Sequence, residues 1–378
     1  MKTRNLIDWL RLVQIPGLGP VGIRKLLGHF GHPQAIVEAS EQDYREVPGI
    51  RPRMVDQLLN FRKKIPSQPV TDQLERLHQI GARLITLGDP FYPPMLAEIH
   101  DPPPVLYVQG DPKYLLAPQM LAVVGSRRAS PKALGLARDI SFALVHHQVV
   151  VVSGLALGID SAAHRGALDG GGFTVAVAAV GLDVCYPPGN RDLARRIIEQ
   201  GCLVTEAPLG TRPDAFRFPA RNRIISGLAH GVVVVEAGEK SGALITSRMA
   251  LEQGREVFAV PGASGDWHCT GSNRLLKSGA GWVEGAKDIL WEMRWETTVA
   301  PHGPLAVDAI NAGAGSRELL IHYLASGPIQ ADELSRKSHL TVASLSSILL
   351  QLELAGVVIR QPGNWFALQN SLTHDTRS

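Results

Sequence analysis

The chain reads as an α/β protein: a doubly wound, Rossmann-like parallel sheet lies between a small helical domain and a winged helix. Three observations carry that reading. Residues 120–285 alternate short, nearly continuous β-branched runs with helical patterns, as expected of strands covered on both faces. Residues 1–66 repeat an apolar-Pro-Gly-apolar turn followed by a helical pattern. After residue 316 come three short helical patterns and a hairpin.

In the first unit, residues 1–66, the repeat runs Ile15-Pro-Gly-Leu-Gly-Pro and Val47-Pro-Gly-Ile-Arg-Pro. This plan resembles SAM-like or helix-hairpin-helix domains. Its glycines either present backbone N–H groups to a phosphate at a helix start or simply make a tight interhelical turn. Residues 67–119 read as an extended lead-in, because Pro93-Pro94 and Pro102-Pro103-Pro104 remove donors and break helices.

The central domain, 120–290, has strand runs at Met120–Gly125, Val149–Ser153, Thr174–Val180, Cys202–Glu206, Val232–Glu236 and Glu256–Val260. Helical patterns intervene at about 131–147, 158–169, 190–200, 219–229 and 243–254. Repeated βα units with right-handed crossovers wind such a sheet in both directions. Residues 291–315 read as a linker and 316–370 as the winged helix. Its third helix, Val342–Ala355, contains no Lys or Arg, so a protein-interaction role is expected rather than duplex reading.

Composition narrows the class. A 45% hydrophobic share excludes wholesale disorder. The formal charge of +3 is too small to argue for nucleic acid from the total, so local clustering must decide. No apolar run approaches the roughly 20 residues of a membrane span, and the N-terminus lacks a signal-peptide core. Cys185, Cys202 and Cys269 form no CxxC pair; small buried hydrophobes are expected, not a disulfide framework or a zinc site. A cytoplasmic setting follows.

Open α/β sheets bind ligands beyond the carboxyl ends of their strands. There the runs lead into Val124-Gly-Ser-Arg-Arg, Ser153-Gly-Leu-Ala-Leu-Gly-Ile-Asp, Gly181-Leu-Asp, Glu206-Ala-Pro, Glu236-Ala-Gly-Glu-Lys-Ser-Gly and Val260-Pro-Gly. Glycines there admit a ligand to the backbone, and helix N-termini attract anions, so a phosphate pocket is expected. Arg127, Arg128, Lys240, Arg274 and Lys277 serve the same edge. So do Arg221 and Arg223, expected in a helix's first turn, where cations oppose the dipole and suit phosphate holding. Few aromatics fall near this edge, so stacking is expected to be minor.

There is no P-loop, and Gly125-Ser-Arg at the end of the first strand is not GxGxxG. Asp160 and His164 read as packing residues of a helix, and Ser126, Ser153 and Ser241 lack a nucleophile's context. No catalytic residue, metal or cofactor is expected.

These motifs resemble those of the DNA-processing protein A (DprA/Smf) family. The resemblance begins at Tyr92-Pro, Ile99-His-Asp-Pro-Pro and Leu106-Tyr. It continues through Val124-Gly-Ser-Arg, Ser153-Gly-Leu-Ala-Leu-Gly-Ile-Asp-Ser-Ala-Ala-His, Gly181-Leu-Asp-Val and Phe218-Pro-Ala-Arg-Asn-Arg-Ile-Ile-Ser-Gly. It closes at Ser241-Gly-Ala-Leu-Ile-Thr, Gly254-Arg-Glu-Val-Phe-Ala-Val-Pro-Gly and Gly271-Ser-Asn-Arg-Leu-Leu, covering about residues 90–285 in order.

The resemblance implies a non-catalytic protein that binds single-stranded DNA in natural transformation and recombination, protects it and helps load RecA, as a homodimer. It also implies a phosphate-binding set of Gly125, Ser126 and Arg127 with Arg221, Asn222 and Arg223, joined by Lys240 and Asn273. Tyr186-Pro-Pro-Gly-Asn departs from the family, where a charged residue often follows the first proline. The rival reading is a nucleotide-binding enzyme resembling lysine-decarboxylase-like phosphoribohydrolases, with Asp183 or Glu236 as its acid; the PGGxGT-type loop of that class is missing.

Overall fold

A computed structural model of the chain describes residues 3–64 and 68–295 and parts of 320–368. The chain divides into two compact units, Met1–Ala300 and Pro301–Ser378.

The first unit opens with helices α1 (Thr3–Val13), α2 (Pro20–Phe30), α3 (Pro33–Glu38), α4 (Glu41–Arg45), α5 (Pro52–Lys64) and α6 (Gln68–Gln79). The two repeats form matching turns, one between α1 and α2 and one between α4 and α5. Gly17 and Gly49 both sit at φ +77°, a conformation that strains any other residue. Their surroundings are exchanged: Gln57 of the second hairpin lies over Gly17, and Lys25 of the first over Gly49.

The sheet has nine strands: β1 (Ala82–Thr86), β2 (Val105–Gly110), β3 (Met120–Val124), β4 (Val150–Ser153), β5 (Thr174–Val177), β6 (Gly201–Thr205), β7 (Gly231–Val234), β8 (Glu256–Ala259) and β9 (Gly281–Trp282). Their order is β1-β2-β6-β5-β4-β3-β7-β8-β9. All neighbours from β6 to β9 are parallel, whereas β1–β2 and β2–β6 are antiparallel.

Helix α7 (Pro94–Ala97) precedes β2. The crossovers are α8 (Pro131–His146), α9 (Ile159–Asp169), α10 (Arg191–Gln200), α11 (Arg217–Leu228), α12 (Ala243–Glu252) and α13 (Thr270–Lys277), and α14 (Ala286–Glu292) follows β9. Alternate strand residues feed opposite cores. Ala122, Val152, Val232 and Val234 pack on one face, with Ile224 and Leu228 of α11. Val123, Val151, Val233 and Val235 pack on the other, with Ala137, Ile140 and Leu144 of α8. Burial on both faces is why these strands show as unbroken apolar runs.

Residues 67–119, expected to be an extended lead-in, instead hold α6, β1, α7 and β2. The prolines lie outside the strands, and alternate residues of β1 and β2 feed two different cores. Ala82, Leu84, Val105 and Tyr107 meet the helical domain; Ile85, Leu106 and Val108 meet the central core. The segment is therefore the joint between the two domains.

The second unit contains β10 (Ile329–Gln330), α15 (Ala331–Ser338), β11 (Val358–Gln361) and β12 (Trp365–Leu368). The strands pair antiparallel in the order β10-β12-β11. Leu345, Leu349 and Leu352 belong to its core, although most of the expected third helix, like most of the 291–315 linker, lies outside the described residues.

Candidate nucleic-acid interface

Neighbouring strands β3 and β7 send the chain in opposite directions, β3 toward β4 and β7 toward β8. The loops at their carboxyl ends must part, and a crevice opens between them. The structure has a trough of about 1090 Å³ at this point, just above the roughly 300–1,000 Å³ of small-ligand pockets. Gly125, Ser126, Arg127 and Arg128 form one wall, and Gly238–Ala243 another. Phe218, Pro219, Arg221 and Asn222 of α11 line it too, with Tyr186 and Trp267.

Hydrogen bonds fix the β3 loop from below. Ser126 N–H donates to Glu236 O at 2.8 Å, and Ile159 N–H donates to Ser126 O at 3.2 Å. Arg128 N–H donates to Ser126 Oγ at 3.1 Å, which leaves the serine O–H free to donate. The Glu236 carboxylate, buried beneath, accepts from Ser130 N–H (3.0 Å) and Ser130 O–H (2.6 Å). A side chain has no room at two of these glycines. A Cβ on Gly125 would lie 2.6 Å from Ile159, and one on Gly158, at φ +80°, 2.2 Å from Ser126 O.

Of the expected phosphate set, Gly125, Ser126, Arg127, Arg221, Asn222 and Lys240 line the trough, while Arg223 and Asn273 do not. Arg127, Arg128 and Lys240 are exposed and make no ion pair among the described residues; Arg127 lies 4.9 Å over the Phe218 ring. Arg221 is buried in the floor. Its guanidinium donates to Gly154 O at 2.6 Å and to Val177 O, tying α11 to the ends of β4 and β5. Burial pulls its pKa down to about 10, against the attraction of Asp160, so it stays charged at neutral pH. Asn222 bridges, accepting from Arg221 Nε–H (3.3 Å) and donating to Gly242 O (3.4 Å). Two carboxylates, Asp214 and Glu239, share the rim with the cations.

Arg223 serves the scaffold instead. It is buried and ion-paired to Glu206 (2.5 Å) and Asp101 (3.0 Å), which locks α11 to the segment before β2. Residues two apart on a helix point about 200° apart, so Arg221 and Arg223 never share a face. The spacing alone carried that signal. Helix α11 also begins at Arg217, which puts both arginines in its second turn rather than its first. Asn273 holds a loop, with its side-chain oxygen accepting from Gly262 N–H at 3.0 Å and its amide donating to Gly262 O at 3.1 Å.

The expectation that aromatics are scarce here is overturned. Tyr186 and Phe218 face each other across 5.5 Å, and Trp267, two-thirds exposed, stands on the rim. Trp267 arrives from the loop after β8, and its lone aromatic side chain in a Gly/Ser/Asp stretch was the available signal.

The polar groups of α9 face inward. Asp160 accepts from Gly154 N–H (3.2 Å) and Ala156 N–H (3.4 Å), and burial pushes its pKa up while Arg221 pulls it down. The Thr174 hydroxyl donates to Val151 O, so it accepts from Nδ1–H of His164 at 2.7 Å; burial drops that imidazole to about 3 and keeps it neutral. Asp183 accepts from Gly210 N–H (2.7 Å) and pairs with Arg76 (3.1 Å). Either acid that the rival reading could use, Glu236 or Asp183, thus has partners in the fold. No group of three or more His, Cys, Asp or Glu among the described residues is placed to hold a metal. No helix among them is long and apolar enough to cross a membrane.

Comparison with known proteins agrees with this architecture. Residues 83–294 match DNA recombination-mediator protein A, residues 302–364 the DprA winged helix domain, and residues 10–64 the SAM-like helix-hairpin-helix tandem. Protein Smf of Escherichia coli K12 is 36% identical over 369 residues, 96% of each chain. The crystal structure of DNA processing protein A from Streptococcus pneumoniae superposes with a TM-score of 0.68 at 35% identity, covering 75% of this chain and 97% of that one. The DNA processing protein A of Helicobacter pylori, whose structure describes a single-stranded-DNA-binding mode, gives 0.52 at 28% identity over 56% and 95%. With its central domain, its winged helix and nearly its whole length matched, the chain belongs to the DNA recombination-mediator protein A (DprA/Smf) family.

Proposed function

We propose that this chain binds single-stranded DNA along the trough at the β3–β7 switch point, as a non-catalytic mediator of transformation and recombination. The observation that carries the reading is Arg127, Arg128 and Lys240 standing unpaired on the rim of a rigid crevice, with Arg221 charged in its floor. Free cations spaced along a trough suit a polyanion, and the aromatics between them suit unpaired bases. The likeness to the Helicobacter pylori protein supports the same ligand. Gly125, Ser126, Arg127, Arg221, Asn222 and Lys240 form the binding set; Arg223 and Asn273 hold the elements that carry it.

The wider role follows the family. The protein works in the cytoplasm as a homodimer, protects incoming strands and helps load RecA onto them. The test is a gel shift of the full chain with single and double strands of one sequence over a salt series. Tighter single-strand binding that weakens steeply with salt is expected. Equal binding to duplex, or no salt dependence, overturns the proposal, and free base released from nucleoside monophosphates would restore the enzymatic reading.

A further inference from the structure

Trp267 is the most conspicuous apolar group on the trough, and holding the fold gives no reason for its exposure. Its side chain is 67% exposed, yet the segment that carries it is fastened at several points. Asn273 clamps Gly262 at the start of the loop. Further on, Asp266 N–H donates to Ala263 O at 3.2 Å, Cys269 N–H to Asp266 O at 3.1 Å, and Thr270 O–H to Trp267 O at 3.0 Å. Gly271 N–H then donates to Ala237 O at 2.7 Å and so ties the loop to the end of β7. One face of the indole is also backed. The His268 ring stacks on it at 3.6 Å and 29°, and Asp266 Oδ1 holds that imidazole at 3.0 Å and its backbone N–H at 2.9 Å.

A large, fastened, half-covered aromatic face in the same trough lining as Lys240 and Arg127 is the arrangement that stacks nucleobases with little ordering cost. We propose that Trp267 is a base-stacking platform that anchors one end of the bound single strand, so that the trough grips base faces as well as phosphates. The inference rests on the single-strand reading above and adds a contact that salt does not screen. In the sheet, β5 and β8 are four strand spacings apart, about 19 Å, so the rim from the Tyr186 segment to Trp267 spans about six nucleotides at the stacked rise.

The experiment compares the full-length chain with Trp267→Ala and Trp267→Phe. Fluorescence anisotropy is read on a labelled thymidine oligonucleotide and on the same backbone with abasic residues, each over a salt series. Stacking of one base makes Trp267→Ala bind the thymidine strand about 5- to 150-fold more weakly at every salt concentration. The slope of log affinity against log salt stays unchanged, and Trp267→Phe recovers most of the loss. On the abasic strand Trp267→Ala and the wild type bind alike.

Equal affinity of wild type and Trp267→Ala for the thymidine strand overturns the proposal, as does an equal loss on the abasic strand. If the wild type binds with a slope that Arg127→Ala reduces while Trp267→Ala changes nothing, only the platform falls. If the wild type binds neither oligonucleotide, the single-strand reading falls with it.

Discussion

Replacing Arg127 with Ala isolates one cation of the trough. The side chain is exposed, has no carboxylate partner, and touches the fold mainly through the Phe218 ring at 4.9 Å, so the variant keeps its melting temperature to within about 2 °C. On single strands each neutralised phosphate contributes about −0.7 to the slope of log affinity against log salt. Arg127, Arg128 and Lys240 together therefore give about −2.1 per protomer. Raising salt from about 50 to about 200 mM then weakens binding about 18-fold; without Arg127 the slope is about −1.4 and the loss about 7-fold. At fixed salt the missing charge-assisted contact, partly screened at the surface, lowers affinity about 5- to 30-fold, or about 1–2 kcal/mol. Anisotropy on an oligonucleotide short enough for one protomer measures both quantities. A folded variant whose slope and affinity match the wild type would refute the assignment of phosphate contacts to this rim.

Arg223→Ala should act on stability and not on salt dependence. Removing it strands Glu206 and Asp101, each about a third exposed, at a cost of about 3 kcal/mol read by chemical denaturation; a reduced salt slope in the folded fraction would contradict the scaffold role. Gly158→Ala forces a side chain into a φ of +80° and against Ser126 O, so about 1–3 kcal/mol is lost from backbone strain alone, and strand binding weakens because the Arg127 loop rests there. His164, neutral in the fold with a pKa of about 3 against an ordinary 6.5, stabilises fully above pH 6.5 and less as pH falls toward 3. That amounts to about 1.4 kcal/mol per unit below pH 6.5. His164→Asn, which retains a donor to Thr174, should flatten urea midpoints between pH 6.5 and 4; equal pH profiles would exclude His164 as the acid-sensitive group.

What the sequence made legible follows from burial. Strands β3 to β8 are covered on both faces and lie within a residue or two of the apolar runs at their N-terminal ends, because nothing polar interrupts them. The strands β1 and β2 are no shorter than the others, but the prolines between them dominate the pattern of the segment and hide them. The helical pattern of α11 shows from about Pro219, but a proline is tolerated throughout a first turn that has no N–H partners to lose, and the helix begins at Arg217. The site was legible as a list of residue types and not as a set of roles. Arg127 and Arg223 are the same amino acid in motifs of equal prominence. Only the carboxylates at positions 101 and 206, remote from Arg223 in sequence, separate a ligand contact from a structural pair.

The same distinction decides how the trough holds an anion. The helix N-termini around it invite a phosphate in principle, but at three of them the chain itself takes one of the first-turn donors. At α8, Ser130 Oγ accepts from Ala133 N–H, and the Glu236 carboxylate sits on Ser130 itself, so the negative charge favoured there comes from the protein. At α9, Ser126 O takes Ile159 N–H. At α12, Ser241 Oγ accepts from Ala243 N–H. A mononucleotide that relied on those particular donors would find them spent. The groups left over are long cationic side chains on the rim and flat rings between them. They bind individually weakly and at a distance from one another, and they gain affinity only when one ligand reaches several at once. A polynucleotide does that and a single nucleotide does not. Glu236, which the rival reading offered as a catalytic acid, is buried against Ser130 and does not line the trough at all.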